Sequence, residues 1–180
     1  VHSKKQSGKR APGVEHKDAW AAQDDDELIL TLGQAFSSPS KTLTDAHFVL
    51  FSGVTGDNHP IHYDVEYARR TRFQKPLAHG LLVTAMTALG ASSVSRQIEG
   101  FVFVEQGSRF LKPVVVGDTV TPRFHVEKIW SEGGKRFVRI TTALVNQRGE
   151  TALEGFHIYQ VLDHDAERTN GRAESSTQKD

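Results

Sequence analysis

The chain reads as an α+β domain in which a curved antiparallel β-sheet wraps a central α-helix. Three observations predict this. Four segments in the last third are rich in Val, Ile, Phe and Thr, turn residues separate them at hairpin spacing, and residues 79–94 are apolar around most of a helical circumference. A helix apolar on nearly every side must be buried nearly everywhere, and a sheet curved around it provides that burial. At 180 residues the chain has room for one domain with a sizeable core, and no internal repeat divides it.

The elements follow in order. Residues 1–27 are charged and polar, close with Asp24-Asp25-Asp26-Glu27 and hold only Trp20 as a large apolar group, so a flexible leader is expected. The domain is expected over 28–163, and the polar stretch 164–180 reads as a flexible tail. Leu28-Ile29-Leu30-Thr31-Leu32 reads as a first strand. Thr44 should cap a helix carrying Phe48, Val49 and Phe51, which should fail at Gly53 and Gly56. A short helix resumes at Asp64-Val65-Glu66-Tyr67-Ala68-Arg69, leaving Gly56-Asp57-Asn58-His59-Pro60-Ile61-His62 on a loop between helices. Pro76-Leu77-Ala78-His79-Gly80-Leu81-Leu82 then opens the central helix, where Gly80, Ala85, Ala88, Gly90 and Ala91 suit a crowded axis. Strands are expected over 101–110, 119–129, 137–145 and 151–161, punctuated by Lys112-Pro113, Gly117-Asp118, Gly133-Gly134 and Arg148-Gly149.

Lys plus Arg (22) balance Asp plus Glu (22), so nothing in the charge points to nucleic acid or an anionic membrane, and a small substrate is expected. With no cysteine, disulfides, thiolate metal ligands and cysteine nucleophiles are excluded, and the reducing cytoplasm is the natural compartment. No apolar run reaches membrane-spanning length, and Lys4-Lys5 is followed by no hydrophobic signal region.

The loop and the helix start carry the chemistry. Asp57 and His62 are residue types that exchange protons, and the Gly80 amide, opening an apolar helix, can polarise a carbonyl. Together they suit addition or removal of water next to a thioester. Taken alone, Asp57 is ordinary Gly-Asp-Asn turn chemistry. His59, His62 and Asp57 do not match a helical zinc motif, and no third strong ligand lies near them in the sequence, so no metal is expected. His79 should orient the loop or the helix start, while His47, His125 and His157 read as structural or exposed.

The run Thr55-Gly56-Asp57-Asn58-His59-Pro60-Ile61-His62-Tyr63-Asp64, then Glu66-Tyr67-Ala68 and Leu77-Ala78-His79-Gly80-Leu81-Leu82, resembles the signature of MaoC-like dehydratases, the (R)-specific enoyl-CoA hydratases of the hot-dog fold. Lys112-Pro113-Val114 and Val116-Gly117-Asp118 look like the family's following strand and turn. The resemblance covers 28–162 and implies reversible hydration of an enoyl-CoA or dehydration of an (R)-3-hydroxyacyl-CoA. It implies that Asp57 and His62 hold the water and that Gly80 binds the thioester oxygen. His59, His79, Leu81, Arg109 and Lys112 are then expected to bind substrate, with Arg69, Arg70, Arg72 and Lys75 as further candidates for the coenzyme A phosphates. Coenzyme A is part of the substrate, and no cofactor is expected. A homodimer or higher homo-oligomer is also implied, since a curved sheet leaves open edges.

Two departures from the family pattern stand out. His59 falls where the family usually has asparagine, and Ala88 where some members carry a serine, with Thr84 or Thr87 as possible substitutes. Two other readings stay open: a hot-dog thioesterase that releases free coenzyme A, and an acyl-thioester binding module that has lost its chemistry.

Overall fold

The computed structural model describes residues 30–162 other than 96, 97 and 99. The expected leader, the tail and the Leu28-Ile29 start of the first strand lie outside the described residues. The framework is an antiparallel sheet of β1 (Ala35–Ser37), β2 (Lys41–Thr42), β3 (Phe101–Phe110), β4 (Thr119–Glu132), β5 (Lys135–Asn146) and β6 (Thr151–Val161). The order is β1-β4-β5-β6-β3, with β2 also on β4. The four long strands match the alternating segments of the sequence to within three residues at each end. Along β4, Val120, Phe124 and Val126 are buried while Arg123, His125 and Glu127 face out, which is the period of two that gives a sheet one dry face.

The first strand starts later than the sequence predicts. Leu30 is buried, but the Gln34 amide donates back to the Thr31 carbonyl (3.0 Å), Gly33 takes φ 82°, and Leu32 is left exposed. Gly33 supplies the left-handed conformation that closes this turn, so pairing begins at Ala35 opposite His125.

Helix α1 (Asp45–Thr55) starts after Thr44, whose amide donates to His47 Nδ1 at 3.0 Å. It runs through Gly53 and stops at Gly56, which adopts φ 75° and donates its amide to the Ser52 carbonyl at 2.8 Å. Helix α2 (Val65–Arg69) is capped by the Asp64 carboxylate, which accepts from the Tyr67 amide at 2.9 Å.

The central helix is much shorter than expected. Helix α3 covers Gly80–Ala85 only, with a separate 3-10 turn at Leu89–Ala91. Thr87 ends it: its hydroxyl donates to the Thr84 carbonyl (2.7 Å), its amide donates to the same oxygen (2.9 Å), and the Ala88 amide drops back to Ala85 (3.1 Å). That tightening leaves Ala88 extended at ψ 137°. Burial on all sides is also corrected: Leu82 and Val83 are buried, whereas Leu81 is 70% exposed and Ala85 and Ala88 are exposed.

Two packed clusters hold the layers together. Phe48 of α1 and Leu82 and Val83 of α3 meet Val120, Leu144 and Leu153 of the sheet. Leu89 and Val94 meet Phe124, Val126, Val138, Ile140 and Tyr159. Phe48 is fully buried, and burial of such a side chain stabilises by about 1.5–3 kcal/mol. It also meets the His79 ring edge-on at 6.2 Å, so the core supports the site directly.

Candidate active site

Two segments far apart in sequence are joined at Leu77. Its amide donates to the Ile61 carbonyl at 3.0 Å, and its carbonyl accepts from His62 Nδ1 at 2.7 Å. Leu77 is itself tied to the sheet side through a bridge with Val115, and the Ala78 amide donates to the Val114 carbonyl (2.8 Å). The acid–base loop and the start of α3 are therefore fixed against the same framework.

Gly56 turns the chain out of α1 and delivers Asp57, whose amide donates to Thr55 Oγ1 at 3.3 Å. A 3-10 turn at Pro60–His62 delivers His62. A carbonyl accepts only, so His62 carries its proton on Nδ1 and leaves Nε2 as a lone-pair acceptor. That nitrogen stands 3.9 Å from Asp57 Oδ2. The gap is longer than a direct hydrogen bond and short enough for one water oxygen to meet both groups. His62 is buried, whereas the Asp57 side chain is half exposed, so the pair opens toward solvent on the carboxylate side.

His79 lies beneath this pair and is 1% exposed. Its Nε2–H donates to the Asp57 carbonyl at 3.2 Å, with Ser52 Oγ 3.1 Å from the same nitrogen. Burial lowers its proton affinity below the usual histidine range, the bond to the Asp57 carbonyl opposes this, and neighbouring His62 adds to the lowering. A cleft of about 240 Å³ is lined by Phe51, Thr55, Asp57, His79, Gly80, Leu81 and Phe110. The Gly80 amide meets no acceptor in the chain among the described residues, and the Phe110 ring packs against Gly80, 3.4 Å from where a Cβ would stand.

His79, expected to orient the loop or the helix start, completes a cluster of three titratable residues. Ligand atoms of Asp57, His62 and His79 lie within 4.8 Å of one another. The two rings are nonetheless stacked at 3.7 Å with planes 20° apart. Nitrogen lone pairs lie in the ring planes, so an ion in the plane of one ring stands well outside the plane of the other, which suits stacking and not shared coordination.

Other expected residues fall elsewhere. His59 Nδ1 accepts from the Ile61 amide at 3.3 Å and its ring meets Tyr67 edge-on at 5.6 Å, which makes it the cap of the 3-10 turn. Arg109 and Lys112 are exposed beside Glu154 (3.8 Å) and Glu150 (4.0 Å) and do not line the cleft. Leu81 does line it. Phe51, Thr55 and Phe110 were not anticipated as lining residues; Phe110 arrives from β3, and no local pattern could have brought it to Gly80.

The comparisons with known proteins agree with this architecture. Residues 29–147 match the family model described as MaoC like domain. The (R)-specific enoyl-CoA hydratase of Rhodospirillum rubrum is 33% identical over 138 residues, covering 72% of this chain and 91% of the relative. The (R)-hydratase structure from Aeromonas caviae superposes with a TM-score of 0.66 at 28% identity, covering 74% of this chain and 98% of the other. An R-hydratase from Pseudomonas aeruginosa gives a TM-score of 0.66 at 26% identity, covering 75% and 84%. With the matching fold, these findings show that the chain belongs to the MaoC-like family of hot-dog proteins.

Proposed function

We propose that the chain is a hydro-lyase that reversibly hydrates an enoyl-CoA to an (R)-3-hydroxyacyl-CoA, with Asp57 and His62 acting on one water. The observation that carries this reading is the Asp57 carboxylate 3.9 Å from His62 Nε2, with Asp57 and Gly80 lining one cleft. The relatives named as (R)-specific enoyl-CoA hydratases support the reaction class and its stereochemistry.

Hydration forms a C3–O bond and a C2–H bond. Asp57 and His62 hold the water; as its oxygen attacks C3, one of its protons passes to the pair, and C2 takes a proton from the same pair. The pair ends with the proton count it began with. Between the two events the thioester oxygen carries enolate charge, and the Gly80 amide donates to it. Dehydration is the same path reversed. The fixed Nδ1–H···O=C bond to Leu77 matters because it keeps the His62 lone pair on Nε2, facing the water.

The assembly reading is a homodimer. Among the described residues β3 pairs with β6 on one side only, and Val102, Phe103, Val104, Phe110 and Leu111 along and just beyond it are exposed together. An unpaired apolar edge of this length is what a second copy would cover. No helix among the described residues is long and apolar enough to cross a membrane, and a cysteine-free chain fits the cytoplasm.

Incubation with crotonyl-CoA tests the activity. Enoyl absorbance should fall without release of free thiol. Thiol release would turn the reading to a thioesterase, and no change in either signal would contradict it.

A further inference from the structure

A second cavity, of about 290 Å³, shares Leu81 with the first and is otherwise lined by Thr84, Ala85, Thr87, Ala88, Leu89, Phe103, Gln106, His157 and Tyr159. Most of this lining is apolar, as an acyl chain requires. Its far wall is polar in an ordered way.

The sheet builds that wall through a bulge. His157 and Tyr159 are two residues apart on β6 and share a face. Phe103 pairs with Tyr159 and Gln106 with His157, with a register shift between Phe103 and Glu105. Residues three apart on a regular strand point to opposite faces; the extra residue brings Phe103 and Gln106 onto the same one.

The protons along the wall can be assigned in one direction. Thr87 Oγ1 donates to the Thr84 carbonyl (2.7 Å), so its oxygen accepts from His157 Nε2–H at 3.1 Å. His157 Nδ1 is then the acceptor, and the Tyr159 hydroxyl donates to it at 3.1 Å. Burial keeps His157 neutral, pushed down to about 4, which agrees with a ring that donates at one nitrogen and accepts at the other. Tyr159 is 7% exposed, and its oxygen receives no donor among the described residues. Its proton is committed, so what it offers the cavity is an acceptor. Gln106 adds a second acceptor to the wall: one amide N–H donates to Ser108 Oγ, and its carbonyl oxygen is left without a donor among the described residues.

We propose that this cavity receives the far end of the acyl chain and selects chains that carry a hydroxyl there, whose single proton is donated to Tyr159 Oη. The inference rests on the hydratase reading and adds the substrate class. Leu81 borders both cavities, so a chain whose reacting carbons sit at Asp57 and His62 would pass it to reach the polar wall.

The test compares kcat/KM for enoyl-CoAs of six and eight carbons in three forms: unsubstituted, hydroxylated at the terminal carbon, and methoxylated there. The methoxy form can accept a hydrogen bond and cannot donate one. The hydroxylated form of at least one length should exceed both others by about tenfold, the value of a single net hydrogen bond. In Tyr159→Phe the same ratio should fall to within about threefold of unity. A ratio taken within one preparation is independent of how much of the variant is folded. Equal use of all three forms by the unaltered protein, a methoxy preference matching the hydroxyl one, or a ratio that survives in Tyr159→Phe would each overturn the inference while crotonyl-CoA turnover still upholds the hydratase. Absence of turnover on crotonyl-CoA and on all three forms would overturn both.

Discussion

His79 lies face to face with His62, ring centroids 3.7 Å apart, and donates through Nε2 to the carbonyl of Asp57 at 3.2 Å. One buried side chain thus touches both residues of the proposed acid–base pair. On the proposed reading His79 acts through these neighbours, as a positioning residue.

Replacing His79 by Ala should therefore lower kcat on crotonyl-CoA by on the order of a hundredfold with little change in KM, because displacement of catalytic groups by about 1 Å has this effect. His79→Gln, which keeps a donor and loses the stacked ring, should recover part of the loss. Steady-state kinetics of the two variants check it. An unchanged kcat in His79→Ala would remove His79 from the account.

Stability should depend on acid through His157. Its folded-state affinity is pushed down to about 4 by burial, from an ordinary value of 6.5. The unfolded chain therefore binds more protons than the folded one between those two values, and stability falls as pH drops through that window. The contribution is fully present above pH 6.5, and the loss below it approaches about 1.4 kcal/mol per pH unit for one proton. His79, lowered in the same direction, adds to the slope. Thermal midpoints of the protein and of His157→Gln between pH 4 and 8 measure this, and the variant should show the shallower slope.

Gly80→Pro should remove the amide donor with little cost to the backbone. His79 already holds φ −58° and ψ 137°, the conformation a residue before proline prefers, and the first helical position tolerates proline. Turnover should fall by roughly a hundredfold or more, the loss seen when one oxyanion donor is removed. Circular dichroism should stay unchanged.

Light scattering should give about twice the 19.9 kDa chain mass. Val104→Lys places a charge on the exposed edge strand and should shift the population toward monomer, as edge lysines do against strand pairing. A monomer for the unaltered protein at micromolar concentration, with turnover intact, would contradict the dimer.

The long strands and the placement of Asp57 and His62 between two helices were legible because each depends on local pattern: alternation in 119–129 and 137–145, and Gly56 ending a helix before Asp57. What was not legible depended on contacts between distant segments. The 79–94 stretch has helical composition, yet Thr87 ties its hydroxyl to Thr84 and meets His157, 70 residues away, and the helix stops. His157 read as structural or exposed because a lone histidine in a strand carries no sign of what lies opposite. Thr31 and Leu32 were expected in a strand, yet the turn at Gly33 takes them and pairing begins at Ala35. Strand register sets Arg109 opposite Glu154, and Lys112, just beyond β3, stands 4.0 Å from Glu150, neighbours that charge along the sequence does not reveal. His79 was expected to orient the loop or the helix start, but its stack with His62 is a relation between separate segments that no spacing rule contains.

The central claim is that Asp57 and His62 work as one unit on one water. Turnover of crotonyl-CoA by Asp57→Asn, His62→Ala and the double variant, each checked for fold by circular dichroism, tests it most directly. Each single change should cost on the order of a thousandfold, and the double change little beyond either one, because groups that act together lose their effect together. A folded Asp57→Asn that hydrates crotonyl-CoA at near the unaltered rate would contradict the account and leave the loop a structural element.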